Sequence, residues 1–157
     1  MSTIHQFKVA SIEGGEIAFA DFKGKKIMVV NVASECGFTP QYQQLQELYE
    51  QYSEQLVIIG FPANNFGSQE PGNNEQIQSF CTVRYGVTFP LAAKISVKGS
   101  DAHPIYQWLT QKSANGVLDS AVKWNFQKYL LDEQGQLITT HPSNISPLDS
   151  VIVDWIE

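Results

Sequence analysis

The residues best equipped for chemistry are the two cysteines, Cys36 and Cys81, and neither belongs to a Cys-x-x-Cys pair. Cys36 stands in NVASECGFTPQYQQL, residues 31–45, where an apolar run stops and a polar helical pattern begins. That puts the thiol outside the carboxyl end of a buried strand and near the amino end of a helix, where functional groups gather in open α/β sheets. Unpaired N–H groups and the helix dipole favour negative charge there by about 0.3–1 kcal/mol, at most about 2. A free thiol of pKa about 8.5 is only about 3% thiolate at pH 7, whereas a value of about 6 makes it roughly 90% ionised. Such a change is worth about 3.4 kcal/mol, more than a helix end supplies, so further donors must point at a reactive sulfur. The alternative is an inert, buried small hydrophobe. The flanks, Ser34-Glu35 and Gly37, are unlike core and favour the reactive reading. Hydrolysis would need a base beside the nucleophile, and His5, His103 and His141 offer no local signature for one. A pre-ionised thiolate attacking a weak O–O bond is the simpler chemistry. Cys81, in NNEQIQSFCTVRYG, lies four residues after Ile77 and next to Phe80. By pattern alone it reads as core packing on a helix face.

The elements that must position these groups are legible. FKVASIEGGEIAFA, 7–20, predicts two short strands around Glu13-Gly14-Gly15. The continuous apolar runs KKIMVVNVA, 25–33, and LVIIGFP, 56–62, suit strands buried on both faces of a parallel sheet. Between them Tyr42, Leu45, Leu48, Tyr49 and Tyr52 recur at helical spacing. After the turn-rich 62–74, Asn73 or Asn74 should cap a helix to about Arg84. TFPLAAKISV, 88–97, predicts an edge strand or a strand entry because of Pro90. A helix from Pro104 to about Lys112 should follow, then strands at 124–131 and 136–140 around Asp132-Glu133-Gln134-Gly135. Ser146-Pro147-x-Asp149 should open the last helix. The order predicts one layered α/β domain, residues 1–157, with a mixed sheet.

A chain of 157 residues supports one well-cored domain. The formal charge of −6 argues against a nucleic-acid partner, which would ask for a basic patch. No apolar segment or polybasic run supports stable membrane anchoring, and the N-terminus lacks the layout of a secretory signal, so a cytoplasmic location is expected. Two cysteines are too few for a disulfide framework. With three scattered histidines nothing has zinc-ligand spacing, and neither metal nor cofactor is expected.

NVASECGFTPQYQQLQELY, GFPANNFGSQEPGNNEQI and KWNFQKYLLDEQG resemble, in order and spacing, three signature blocks of the glutathione peroxidase family in its cysteine-containing branch. The similarity spans roughly residues 4–157. The resemblance implies a thioredoxin-like fold and a peroxidase of antioxidant defence that reduces hydrogen peroxide and organic hydroperoxides. It makes Cys36 the peroxidatic residue, with Gln69, Trp124 and Asn125 as supporting partners. An indole N–H and side-chain amide NH₂ groups can hydrogen-bond a thiolate without giving up a proton, which suits that role. The resemblance also implies that Cys81 is a resolving cysteine, forming a Cys36–Cys81 disulfide that thioredoxin reduces. Glutathione is the second candidate donor, although no basic cluster waits for its carboxylates. Ala63 stands where many relatives have cysteine, and Asn65 where glutamine is usual. The short connection from Trp108 to Trp124 lacks the insertion linked to tetramers, so a monomer is expected. A redox sensor that relays its disulfide to a partner protein is the rival reading. A thiol–disulfide oxidoreductase is disfavoured by the missing Cys-x-x-Cys.

Overall fold

The computed structural model describes residues 2–157. A short antiparallel hairpin comes first, β1 (Lys8–Ala10) and β2 (Glu16–Ala18), flanked by 3-10 turns at Ile4–Gln6 and Phe19–Phe22. The central sheet is built from β3 (Lys26–Val32), β4 (Leu56–Pro62), β5 (Lys128–Leu131) and β6 (Leu137–His141), in the order β4-β3-β5-β6. β3 and β4 are parallel from Lys26↔Leu56 to Val32↔Pro62, and β5 runs antiparallel to both β3 and β6. The sheet is therefore mixed.

Period-two alternation sorts the side chains of the central strands into two cores. Ile27, Val29, Val57, Ile59 and Phe61 face one side, packed against Ile4, Val9 and Phe19 and against α3 (Pro104–Thr110) through Ile105, Tyr106 and Leu109. Met28, Val30, Val32, Leu56 and Ile58 face the other side. There they meet Tyr42, Leu45 and Leu48 of α1 (Gln41–Tyr52), Ile77 and Cys81 of α2 (Asn74–Tyr85), and Ile152 and Ile156 of a C-terminal helix, Ser150–Ile156. Both cysteines lie on this second side.

Asn73 caps α2 through a reciprocal capping box. Its Oδ1 accepts the Gln76 N–H at 2.9 Å, and Gln76 Oε1 accepts the Asn73 N–H at 2.9 Å. Gly86, at φ +59°, stops the helix, its N–H donating to Thr82 O at 3.0 Å. Of the twelve residues of α2 only Ile77 and Cys81 are fully buried, while Phe80 and Tyr85 pack partly buried against Tyr42.

Four expectations are corrected. The 88–97 segment is not a strand but two isolated bridges, Gly60↔Leu91 and Ser11↔Ala92. Pro90 brings no N–H, and the amides of Lys94 and Val97 go to Asn74 Oδ1 and Asn65 Oδ1, both at 2.9 Å, rather than to a ladder. β5 starts at Lys128, four residues later than Trp124, because Phe126 adopts φ +65° and turns the chain. α3 stops at Thr110. The buried Asn115 donates its amide to the carbonyls of Trp108 and Leu109 at 2.9 and 3.2 Å, and a one-turn helix α4 (Lys112–Asn115) follows. The last helix, α5, starts at Ser150 with Asp149 as its cap, Oδ1 accepting the Val151 N–H at 2.9 Å. Ser146–Asp149 is a preceding turn closed by the Asp149 N–H on Ser146 O at 3.0 Å.

Candidate active site

β3 delivers its chain at Val32 into the tight segment 33–40 that leads to α1, and Cys36 sits inside it. Thr39 staples the segment. Its Oγ1 accepts the Cys36 N–H at 2.9 Å and donates to Ala33 O at 2.9 Å, while its own N–H donates to Cys36 O at 3.0 Å. Thus constrained, Cys36 is 7% exposed, and its Sγ accepts the Phe38 backbone N–H at 3.3 Å. The sulfur stands at the amino end of α1, as the strand-to-helix pattern predicts.

Gln69, Trp124 and Asn125 are brought together from two distant segments. Asn125, fully buried, donates Nδ2 to Gln69 Oε1 at 3.1 Å, and Gln69 O accepts the N–H of Glu35, the residue before Cys36, at 3.0 Å. Trp124, half-buried, packs against the Cys36 side of the core and meets Phe66 at 5.7 Å between ring centroids. Gly67, at φ +64°, leaves room for that indole; a Cβ there would lie 3.1 Å from Trp124 Cη2. Among the described residues no side chain of this trio donates to Cys36 Sγ; the backbone of Phe38 does so. Asn125 Oδ1 is buried without a partner.

The residue that joins the two segments is Asn31, fully buried near the end of β3. Its Nδ2 donates to Trp124 O at 3.1 Å, its Oδ1 accepts the Gln127 N–H at 3.1 Å, and its backbone O accepts the Phe126 N–H at 2.6 Å. An apolar strand pattern hides such a clamp, because only the polar type at a buried position marks it. Asn31→Ala orphans two backbone groups in the turn. We expect it to cost about 3 kcal/mol, at about 1–3 kcal/mol for each unsatisfied buried group. Urea unfolding reads that loss as a fall in midpoint at unchanged slope.

Cys81 lies fully buried on the inner face of α2, and burial pushes its thiol up to about 11 against the pull of the Tyr42 hydroxyl. Both cysteines are free thiols. Between the 34–35 segment and α2 runs a cleft of about 330 Å³ lined by Ser34, Glu35, Glu70, Pro71, Ile77 and Phe80. Glu70 is 1% exposed there. Burial raises its carboxyl above the usual range, opposed by the neighbouring Ser34 and by Lys94. Thr39, Glu70 and Asn31 were not singled out from the sequence. For Glu70 the available signal was an acidic residue beside Gln69 in an otherwise uncharged turn.

A family model for glutathione peroxidase matches residues 4–110. A hydroperoxy fatty acid reductase of Synechocystis is 43% identical, across 98% of this chain and 94% of that protein. A glutathione peroxidase-like peroxiredoxin of Schizosaccharomyces pombe is 46% identical, across 94% of this chain and 93% of that one. Among solved structures, apo Trgpx superposes with a TM-score of 0.75 at 36% identity, covering 99% of this chain and 95% of the other. A thioredoxin family protein of Chlorobium tepidum superposes at 0.61 with 18% identity, covering 96% and 89%, a likeness of fold alone. The architecture is thioredoxin-like, with a mixed sheet between helices and an N-terminal hairpin.

Proposed function

The chain belongs to the glutathione peroxidase family, and we propose that it reduces hydroperoxides through Cys36, with Cys81 as the resolving thiol and thioredoxin as the electron donor. The enzyme is a glutathione peroxidase-like hydroperoxide reductase. The observation that carries the site reading is the setting of Cys36. Its sulfur lies at a helix head on a backbone N–H, and one hydrogen bond links its neighbour Glu35 to the Gln69–Asn125 pair.

The chemistry runs in three steps. The Cys36 thiolate attacks one peroxide oxygen, and the O–O bond breaks. Sulfur keeps that oxygen as a sulfenic acid, and the other oxygen leaves as water or alcohol after taking a proton. Gln69 and Trp124, whose side-chain N–H groups are unengaged among the described residues, are the donors for charge developing on the departing oxygen. Next the Cys81 sulfur displaces the hydroxyl of the sulfenic acid. The S–O bond breaks, the S–S bond forms, and the thiol proton leaves with the hydroxyl as water. Thioredoxin dithiol then exchanges with the disulfide.

That only two of the twelve residues of α2 are fully buried supports the second step, since Cys81 must leave the core to reach Cys36. An exposed Val83, at 78%, on the same helix suits a protein reductant better than a tripeptide. We further propose that residues 1–157 act as one peroxidase domain, a monomer working in the cytoplasm. No helix among the described residues is long and apolar enough to cross a membrane.

The test is mass spectrometry after one equivalent of hydroperoxide. The expected product is an intramolecular Cys36–Cys81 bond that thioredoxin, and not glutathione alone, removes on the catalytic timescale. Persistent sulfenic acid at Cys36 with a free Cys81 would refute the resolving role.

A further inference from the structure

Lys128 is the first residue of β5 and is fully buried, yet all three of its hydrogen bonds go to neutral oxygens. Its Nζ donates to Gln41 Oε1 at 2.6 Å, to Ile145 O at 2.6 Å and to Ser143 O at 3.2 Å. A buried ammonium without a carboxylate is costly, and a hydrophobic residue of similar length would avoid that cost. Burial draws it down to about 7. The lysine is therefore better explained by what it holds than by stability.

What it holds leads to the sulfur. Gln41 is the first residue of α1, and its amide is fixed at both ends, Oε1 on Lys128 and Nε2 donating to Ser143 O at 2.8 Å. The backbone N–H of Gln41 donates to Phe38 O at 2.8 Å, and the N–H of the same Phe38 donates to Cys36 Sγ at 3.3 Å. Three residues upstream of Lys128 on the same segment stands Asn125. One buried cation thus ties the segment carrying Trp124 and Asn125 to the helix head that presents the sulfur.

We propose that Lys128 is a positioning residue for Cys36: its ammonium clamps Gln41, and through Gln41 it fixes the Phe38 N–H against the sulfur. This rests on Cys36 being the reacting residue. The contact is indirect, so Lys128 itself touches no substrate. The ionisable groups around this chain are His141, opposite Lys128 on β6, and Asp149, which acts on His141, with Glu35 and Glu70 on the sulfur side. Lys128→Met also removes a cation that lowers His141, whereas Gln41→Met leaves every one of these charges in place, so agreement between the two variants isolates the clamp.

The test is the pH profile of iodoacetamide alkylation in a Cys81→Ser background, where one thiol reports. Lys128→Met should alkylate about fivefold more slowly at pH 5, about 1 kcal/mol of lost thiolate support, and at the parent rate at pH 10. Gln41→Met should do the same, and the double variant should be no slower than either single one, because both act on one route. A folded Lys128→Met with the parent profile overturns the proposal, as do single effects that multiply in the double variant. Should Lys128→Met fail to fold, Gln41→Met decides alone, since it leaves the bonds from Lys128 to Ser143 and Ile145. A slowed profile then supports the clamp, and a parent profile overturns it. A parent thiol inert at both pH values would instead refute the role of Cys36.

Discussion

Cys36→Ser should abolish hydroperoxide consumption, by about 10⁴-fold or more, the result expected when the group proposed to form the covalent intermediate is removed. The fall must come in the step that consumes peroxide and not in folding. Cys36 is 7% exposed, its N–H and C=O are both engaged by Thr39, and serine keeps that backbone arrangement. Serine also retains an acceptor for the Phe38 N–H. Its hydroxyl is a far weaker nucleophile at neutral pH than a thiolate, because it stays protonated. The measurement is a stopped-flow assay of hydroperoxide loss with the reduced protein in excess, alongside urea unfolding. Near-normal consumption by a folded Cys36→Ser protein would place the chemistry elsewhere.

The companion result concerns Cys81. Cys81→Ser should still consume one equivalent of hydroperoxide at the parent rate, and should lose roughly 100-fold in steady-state turnover driven by thioredoxin and its reductase. The separation follows from where the residue sits. Fully buried on α2 and pushed up to about 11, the thiol takes no part in the first step. When α2 opens, burial no longer holds the thiol up, and its thiolate fraction rises. In the proposed cycle, opening of α2 would make Cys81 available only after the helix has let go. Ile77 and Cys81 are the helix's only fully buried residues, so local opening exposes these two together with the partly buried Phe80 and Tyr85. Full thioredoxin-driven turnover by Cys81→Ser would exclude the Cys36–Cys81 disulfide from the cycle.

The site is held more firmly than it is equipped. Asn31 fixes the turn that carries Trp124 and Asn125, Thr39 fixes the loop that carries Cys36, and Lys128 with Gln41 spans the two. All four are polar and at most 9% exposed, with their hydrogen bonds directed mainly at backbone. Such groups set geometry at the expense of some stability, because each must be taken out of water and fully paired.

Much of this was written in the sequence. Nearly continuous apolar runs at 25–33 and 56–62, rich in β-branched residues, suit burial on both faces, which pointed to a parallel pair with Cys36 just past the end of one strand. Asn73 was one of the two caps the sequence offered for α2, because side-chain capping acts within a few residues. Local rules also announced the hairpin at Asp132–Gly135, where Asp132 Oδ1 accepts the N–H groups of Gln134 and Gln136. The family resemblance, carried by short blocks, named Gln69, Trp124 and Asn125 before any geometry was known.

Tertiary structure alone decided the remainder. That Trp124 begins no strand depends on a backbone bond from Phe126 to Asn31, 95 positions away, and no local propensity contains it. Residues 88–97 are rich in strand formers and Ala92 and Ile95 donate to Gly60 and Pro62 of β4, yet the amides of Lys94 and Val97 are claimed by Asn74 and Asn65. A lysine among the strand residues of KYLL is unremarkable as text. It becomes a clamp only because Gln41 and the 143–145 turn converge on it, and hydrogen-bond partners distant in sequence are set by packing, not by periodicity.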